Sequence, residues 1–163
     1  MRHNVMHLSE CLEDVVEVQG RLLASLLDQR PAIIESRHAA VEELAQRCEI
    51  EIRRLTVAER ARAAAAQMLA DELELPTPRW SVLRTAVTEE ERDLLEGSVT
   101  QVEALVRDLE LANAINGQLV RNELAVVDAS MRSLAGPTPR SYTAAGATAA
   151  APPPRPMMLN TSA

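Results

Sequence analysis

The sequence predicts an all-α protein: an elongated, mostly antiparallel three-helix coiled-coil bundle with a disordered C-terminal tail. Three observations lead to this prediction. The 163-residue chain contains one Trp, one Tyr and no Phe, whereas β-strands are usually rich in aromatic side chains. Its apolar residues recur at helical spacing over long stretches. Six of its nine prolines lie after position 136, where a packed helix is therefore not expected.

The first predicted helix, about 4–30, carries a heptad seam with one polar member. The seam consists of Val5, Leu8, Leu12, Val15, Gln19, Leu22 and Leu26. Such a seam packs against another helix. Pro31 interrupts the pattern, and a proline inside a helix costs about 3 kcal/mol. We therefore expect a break or kink between Asp28 and Arg37, and the pattern leaves open whether the chain reverses there.

The second predicted helix, about 36–74, has an Ala-rich centre at 61–66 whose small side chains permit close approach of a partner helix. Its expected inward residues are Val41, Leu44, Cys48, Ile52, Leu55, Ala58, Ala65 and Leu69. Pro76 and Pro78 end the pattern. The short stretch 80–84, which contains the single Trp, is predicted to form a helical turn across one end of the bundle.

The longest predicted helix is 88–134, about 70 Å at 1.5 Å per residue. Thr88 and Glu91 have the spacing of a capping box, and Gly136 followed by Pro137 is a stop signal. Its seam is Leu95, Val99, Val102, Val106, Leu109, Asn113, Asn116, Val120, Glu123, Val127, Ser130 and Leu134. Because the first two helices are shorter, part of this helix is expected to lack intramolecular cover.

Charge divides the chain into two predicted regions. Residues 1–132 contain all 24 acidic residues and 15 of the 17 arginines, a net charge of −9, whereas the remainder contains two arginines and no acid. We predict a helical domain at 1–135 and a disordered, Pro/Ala-rich tail at 136–163, because this composition buries too little apolar surface to offset the entropy of ordering.

Composition also excludes several classes of function. The chain has no Lys, which excludes the P-loop enzymes. A net charge of −7 disfavours nucleic acid as a partner, and no apolar run approaches the length of a membrane span. The N-terminal residues lack the apolar core of a signal peptide. We expect a cytoplasmic protein with reduced thiols at Cys11 and Cys48 and no membrane insertion.

Histidine chemistry has little support. Glu35 and His38 have the Glu-x-x-His spacing of di-metal bundles, but those sites need the motif twice. His3 and His7 share a helical face without a visible third ligand. We predict no metal, no cofactor and no catalytic residue, and therefore not an enzyme. A helical-bundle enzyme or phosphotransfer domain built on His38 is the minor alternative.

Asn113 and Asn116 occupy consecutive seam positions, and Gly117 follows them within the helix. A buried seam Asn lowers stability but can fix register and partner choice, and the glycine costs about 1 kcal/mol relative to alanine. The segment resembles the signature of the FlgN family, Asn-x-x-Asn-Gly-x-Leu, which Asn113, Asn116, Gly117 and Leu119 match. Tyr142 and Gly146 are similar to a Tyr and Gly found just past that helix in the family. The absence of Lys from the second helix and the Pro/Ala-rich tail depart from it.

The resemblance implies a cytoplasmic export chaperone that needs no cofactor. Such a chaperone binds the C-terminal helical region of flagellar hook-associated proteins of the FlgK/FlgL type, prevents their premature polymerisation and delivers them to the flagellar type III export apparatus. The expected partner-binding residues are Asn113, Asn116, Gly117, Leu119, Leu124, Val127, Met131, Leu134, Tyr142 and Gly146. The alternative is a self-associating structural or scaffolding coiled coil, and a weak homodimer is compatible with either function.

Overall fold

The computed structural model describes residues 2–134, all of whose regular structure is helical. The elements are α1 (His3–Ile34), α2 (His38–Glu72), α3 (Trp80–Ala86) and α4 (Glu89–Leu134). The all-α prediction is confirmed for the described residues. The chain divides into two units, Met1–Leu124 and Ala125–Ala163. The predicted tail at 136–163 lies outside the described residues.

The break predicted between Asp28 and Arg37 is confirmed, but it lies after Pro31 and not at it. Pro31 lies within α1, which continues for one more turn to Ile34, although proline donates no hydrogen bond to the carbonyl four residues earlier. The turn comes after it, at Ser36, whose φ is 53°. The amide of Ser36 donates to the Ile33 carbonyl at 3.0 Å and that of Arg37 to the Ala32 carbonyl at 2.9 Å. These two bonds form a Schellman motif.

The second helix ends in the same way, without glycine. Glu74 has a φ of 54°. Its amide donates to the Asp71 carbonyl at 3.2 Å, and the amide of Leu75 donates to the Ala70 carbonyl at 2.9 Å. Both helix ends therefore hold a side chain in the left-handed region that glycine normally occupies.

Helices α1 and α2 run antiparallel. The Asn4 side-chain amide donates to Glu72 at 2.6 Å, and Arg21 donates to Glu51 at 3.2 Å, so positions rise on α1 as they fall on α2. The chain therefore reverses after α1. The core between them combines the first half of α1, the end of α2, α3 and the start of α4; its buried members are Val5, Leu8, Cys11, Leu12, Ala65, Ala66, Leu69, Ala70, Leu83, Val87 and Leu95.

The seam predicted for α1 is confirmed over most of its length. Val5, Leu8, Leu12, Val15, Gln19 and Leu22 are all buried, and Leu26 is half-buried. Burial of Ser9, Cys11 and Val18 as well gives α1 a wider buried face than two seam positions per heptad provide. A wide face is what a helix needs when it contacts two neighbours.

Helix α4 starts at the predicted capping box. The Thr88 amide donates to the Glu91 carboxylate at 3.1 Å, and the Glu91 amide donates to the Thr88 hydroxyl at 3.4 Å. The same carboxylate, 3% exposed, accepts from the backbone amide and the guanidinium of Arg2, each at 3.1 Å. The N-terminal ends of α1 and α4 therefore lie together, which the local motif does not predict.

The seams of α2 and α4 are less completely buried than predicted. Leu95 is buried, but Val106 and Val120 are each 40% exposed on α4, and Ile52 is 52% exposed on α2. The expectation that these three are buried is wrong. Glu51 is buried next to Ile52, and it is held there by Arg21 and Arg54 at 3.2 and 2.7 Å.

Candidate functional site

The two seam asparagines have different environments. Asn116 is 4% exposed, and its amide nitrogen donates to the Leu26 carbonyl at 2.7 Å and to the Gln29 side-chain oxygen at 3.3 Å. Asn113 is exposed, although it occupies the preceding seam position. Asn116 fixes the position of α4 along α1, and Asn113 is available to solvent or to a partner.

Among the described residues, no steric contact requires a glycine at position 117. A Cβ atom added at Gly117 would lie 3.5 Å from Nη1 of Arg121, an ordinary contact with the end of a flexible side chain. Alanine would therefore fit without displacing the backbone. The position is half-buried and leaves a gap on the helix surface where a side chain would otherwise stand.

The predicted C-terminal surface is exposed throughout. Every residue from Leu124 to Leu134 is exposed. The exposed fractions are 63% for Leu124, 58% for Val127, 63% for Met131 and 84% for Leu134. Their sequence spacing of three, four and three residues predicts that these four side chains share one face of a continuous helix. We call them the apolar stripe.

Leu119 is not part of this face. It is half-buried and lies five residues before Leu124, about 140° around the helix at 3.6 residues per turn. Tyr142 and Gly146, the other two predicted site residues, lie outside the described residues. The structure therefore leaves four of the predicted residues exposed, places Asn113 and Gly117 nearer the middle of α4, and buries Asn116.

Polar interactions lie beside the apolar stripe. Arg132 forms an ion pair with Asp128 one turn before it, and the Arg132 guanidinium lowers the pKa of the Asp128 carboxyl, chiefly through a hydrogen bond. Glu123, just before the stripe, accepts a hydrogen bond from the Ser36 hydroxyl at 2.6 Å. This bond places the α1–α2 turn next to α4 at Glu123.

A cavity that the sequence did not predict lies where the three seams were expected to close. Its volume is about 510 Å³. Its lining residues are Leu22, Leu26 and Gln29 of α1, Ala45, Cys48, Glu49 and Ile52 of α2, and Leu109, Glu110 and Asn113 of α4. We call it the seam groove. The only hint in the sequence was an asparagine at a seam position.

Among residues 2–134, the cysteine and histidine side chains do not assemble into a catalytic or metal site. Cys11 and Cys48 are buried free thiols, and burial raises the pKa of both, which disfavours the reactive thiolate. His38 is exposed at the start of α2, and His7 lies 4.0 Å from Glu10. No group of three metal-binding side chains occurs in this part of the chain.

Comparison with protein families identifies the family of this chain. A family model described as FlgN protein matches residues 1–150. The chain belongs to the FlgN family. FlgN proteins are flagellar export chaperones rather than enzymes, and the family binds flagellar hook-associated proteins. The resemblance carried by Asn113, Asn116, Gly117 and Leu119 is thereby confirmed at the level of the family.

Two other comparisons add no relatives of this FlgN-family chain. Neither the curated proteins nor the solved structures compared with it gave a match. Among the helices of residues 2–134, none is long and apolar enough to span a membrane.

Proposed function

We propose that this FlgN-family protein is a cytoplasmic export chaperone for hook-associated proteins of the FlgK/FlgL type. It binds the C-terminal helical region of its client, prevents premature polymerisation and delivers the client to the flagellar type III export gate. The observation that carries the proposal is the apolar stripe, four large side chains at helical spacing that are 58–84% exposed. Monomeric proteins rarely leave such a surface uncovered unless it binds something.

The stripe has the geometry that an amphipathic client helix requires. Recognition of a helix along an apolar face uses anchors at i, i+3, i+4 and i+7, and Leu124, Val127 and Met131 supply three positions of this kind. Burying an aliphatic side chain contributes about 1.5–3 kcal/mol. Burial of all four therefore offsets several kcal/mol of the free-energy cost of association.

We further infer the architecture that supports this surface. Helices α1, α2 and α4 form an elongated three-helix coiled-coil domain at 1–135, and 136–163 is a disordered tail. The pairs Arg2–Glu91 and Ser36–Glu123 support this by placing α4 alongside α1 in a parallel direction. Tyr142 and Gly146 in the tail are proposed to contact the client or the export apparatus.

The test is a matched pair of double variants. Leu124→Asp with Val127→Asp places two charges on the stripe. Val126→Asp with Ala129→Asp adds the same charge at the same spacing on exposed positions of another side of α4. Binding of the purified C-terminal helical fragment of the organism's FlgK-type protein is measured by calorimetry. We expect the stripe variant to lose at least about tenfold in affinity, or about 1.4 kcal/mol, and the control to bind like wild type.

Two outcomes would overturn the proposal. In the first, the wild-type protein binds no hook-associated fragment, or both folded variants bind it equally well. In the second, sedimentation shows that the wild type is a stable oligomer which the stripe variant dissociates, and no client binds. The second outcome would favour the scaffolding coiled coil instead.

A further inference from the structure

The seam groove is a largely apolar groove. Three helices line it, and six of its ten lining residues are apolar or Cys: Leu22, Leu26, Ala45, Cys48, Ile52 and Leu109. Cys48 at its base is 8% exposed, whereas Ile52 is 52% exposed. A volume of about 510 Å³ lies in the range of pockets that take organic ligands or several side chains.

The groove is open because Ile52 of α2, which lines it, stays half exposed and is not covered by a neighbouring helix. Glu51, 9% exposed, occupies the inward direction next to Ile52 and is bonded to Arg21 and Arg54. On the facing helix, Asn113 is exposed and Val106 is 40% exposed. The apolar side chains that a closed bundle would bury are therefore available to an added helix.

The charges around the groove specify the chemistry of its occupant. Its polar lining consists of two carboxylates, Glu49 and Glu110, and two amides, Gln29 and Asn113; no cationic side chain from residues 2–134 lines it. Glu49 pairs with Arg53 at 2.7 Å, while Glu110 has no ion pair within residues 2–134. An apolar segment flanked by Arg or Lys complements both the apolar lining and the negative charge of this surface.

We propose that the seam groove is a second docking site, which takes an amphipathic helix of the exported client with aliphatic side chains in the groove and basic residues against Glu110 and Glu49. The inserted helix completes a four-helix core. This inference rests on the proposed chaperone function but concerns a surface on α1, α2 and the middle of α4, distinct from the apolar stripe. Asn113 then acts as a hydrogen-bonding contact to the client backbone or side chains.

Two matched pairs of variants test the groove. Ile52→Arg places a cation in the groove, and Val57→Arg makes the same change at a 67% exposed residue of α2 that does not line it. Glu110→Arg reverses the unpaired charge, and Asp108→Arg reverses another exposed charge of α4. With the FlgK-type C-terminal fragment as the probe, we expect Ile52→Arg and Glu110→Arg each to weaken binding about tenfold, and both controls to bind like wild type.

The native thiols provide an independent readout on the unmodified protein. Cys48 lines the groove, whereas Cys11 lies in the core between α1 and α2. Maleimide labelling followed by tryptic mass spectrometry reports each thiol separately. We expect saturating client fragment to slow labelling of Cys48 at least about threefold relative to Cys11, since protection follows the fraction bound.

The outcomes separate this inference from the proposed function. If the fragment binds the wild type and loses affinity for the stripe variant, but binds Ile52→Arg and Glu110→Arg unchanged with no protection of Cys48, the groove inference is wrong and the chaperone function stands. If the fragment does not bind the wild type at all, both are wrong. If Ile52→Arg fails to fold by circular dichroism, Glu110→Arg and the thiol readout decide.

Discussion

The buried carboxylate of Glu91 makes the stability of the protein depend on pH in a specific way. Glu91 accepts hydrogen bonds from the backbone amides of Thr88 and Arg2 and from the Arg2 guanidinium, each at 3.1 Å. Replacing it by Gln leaves one acceptor oxygen for these donors and turns an amide group toward another donor. Glu91→Gln therefore breaks at least one bond to a charged acceptor.

The size of the effect follows from these bonds. A hydrogen bond to a charged group contributes about 1.5–3 kcal/mol. Because the guanidinium of Arg2 is half-exposed, solvent screening reduces the contribution of the bond between Arg2 and Glu91. We expect Glu91→Gln to lower the free energy of unfolding by about 2 kcal/mol at pH 7. Glu90→Gln is the matched control, since Glu90 is exposed in the same helical turn and interacts mainly with the helix dipole, worth about 0.5 kcal/mol.

The pH dependence has a definite sign. Burial raises the pKa of Glu91, but the backbone amides of Thr88 and Arg2, together with the Arg2 charge, outweigh it, so the pKa is lowered below its ordinary value of 4.5. A lowered pKa in the folded state stabilises the protein fully above pH 4.5 and less as the pH falls through the folded-state pKa. The stability gap between wild type and Glu91→Gln should therefore narrow below pH 4.5.

The assay is urea unfolding followed by circular dichroism between pH 7 and the lowest pH at which both proteins remain folded. Equal free energies of unfolding for Glu91→Gln and Glu90→Gln at pH 7 would refute the inference that the hydrogen bonds of Glu91 stabilise the protein. A gap that is present but unchanged below pH 4.5 would show that the effect of the substitution does not arise from the charge.

Two further predictions concern the middle of α4. Gly117→Ala should raise the free energy of unfolding by about 1 kcal/mol, because the added Cβ meets only the flexible end of Arg121 at 3.5 Å; a lower midpoint in thermal denaturation would contradict this. Asn116→Ala should destabilise by about 1–2 kcal/mol, since Asn116 bonds the Leu26 carbonyl at 2.7 Å, whereas Asn122→Ala at an exposed position should change little. Urea unfolding of the two Asn variants checks the comparison, and equal stabilities would show that the buried bond contributes nothing.

Local signals in the sequence predicted local structure well. The seam from Val5 to Leu22 is buried, and the capping box at Thr88 forms the predicted bonds. Both depend on residues within a few turns of one another. The end of α1 was placed within a broad interval, because Ser36 adopts a left-handed conformation without the glycine that usually signals it.

Relations between distant segments were not predictable in the same way. A heptad pattern shows which face of a helix is apolar, but not how closely two helices approach along it. Ile52 and Val106 are therefore exposed although their spacing predicted burial, and the seam groove was missed. The bonds of Glu91 to Arg2 span 89 positions, and no local pattern links them. The exposed stripe from Leu124 to Leu134 was predictable because it follows from relative helix lengths.

The opposite directions of the two helix pairings have a consequence for the growing chain. The antiparallel pairing of α1 and α2 begins at the turn around Ser36. It can therefore form stepwise from this turn toward Asn4 and Glu72, and each step closes only a short loop. The hydrogen bonds from Asn116 of α4 to α1 span 90 and 87 positions, and the bond from Ser36 in the α1–α2 turn to Glu123 of α4 spans 87, because α1 and α4 run parallel. Every such bond must close a long loop, which slows folding. We therefore expect α1 and α2 to form a helical hairpin in the nascent chain before α4 packs against it.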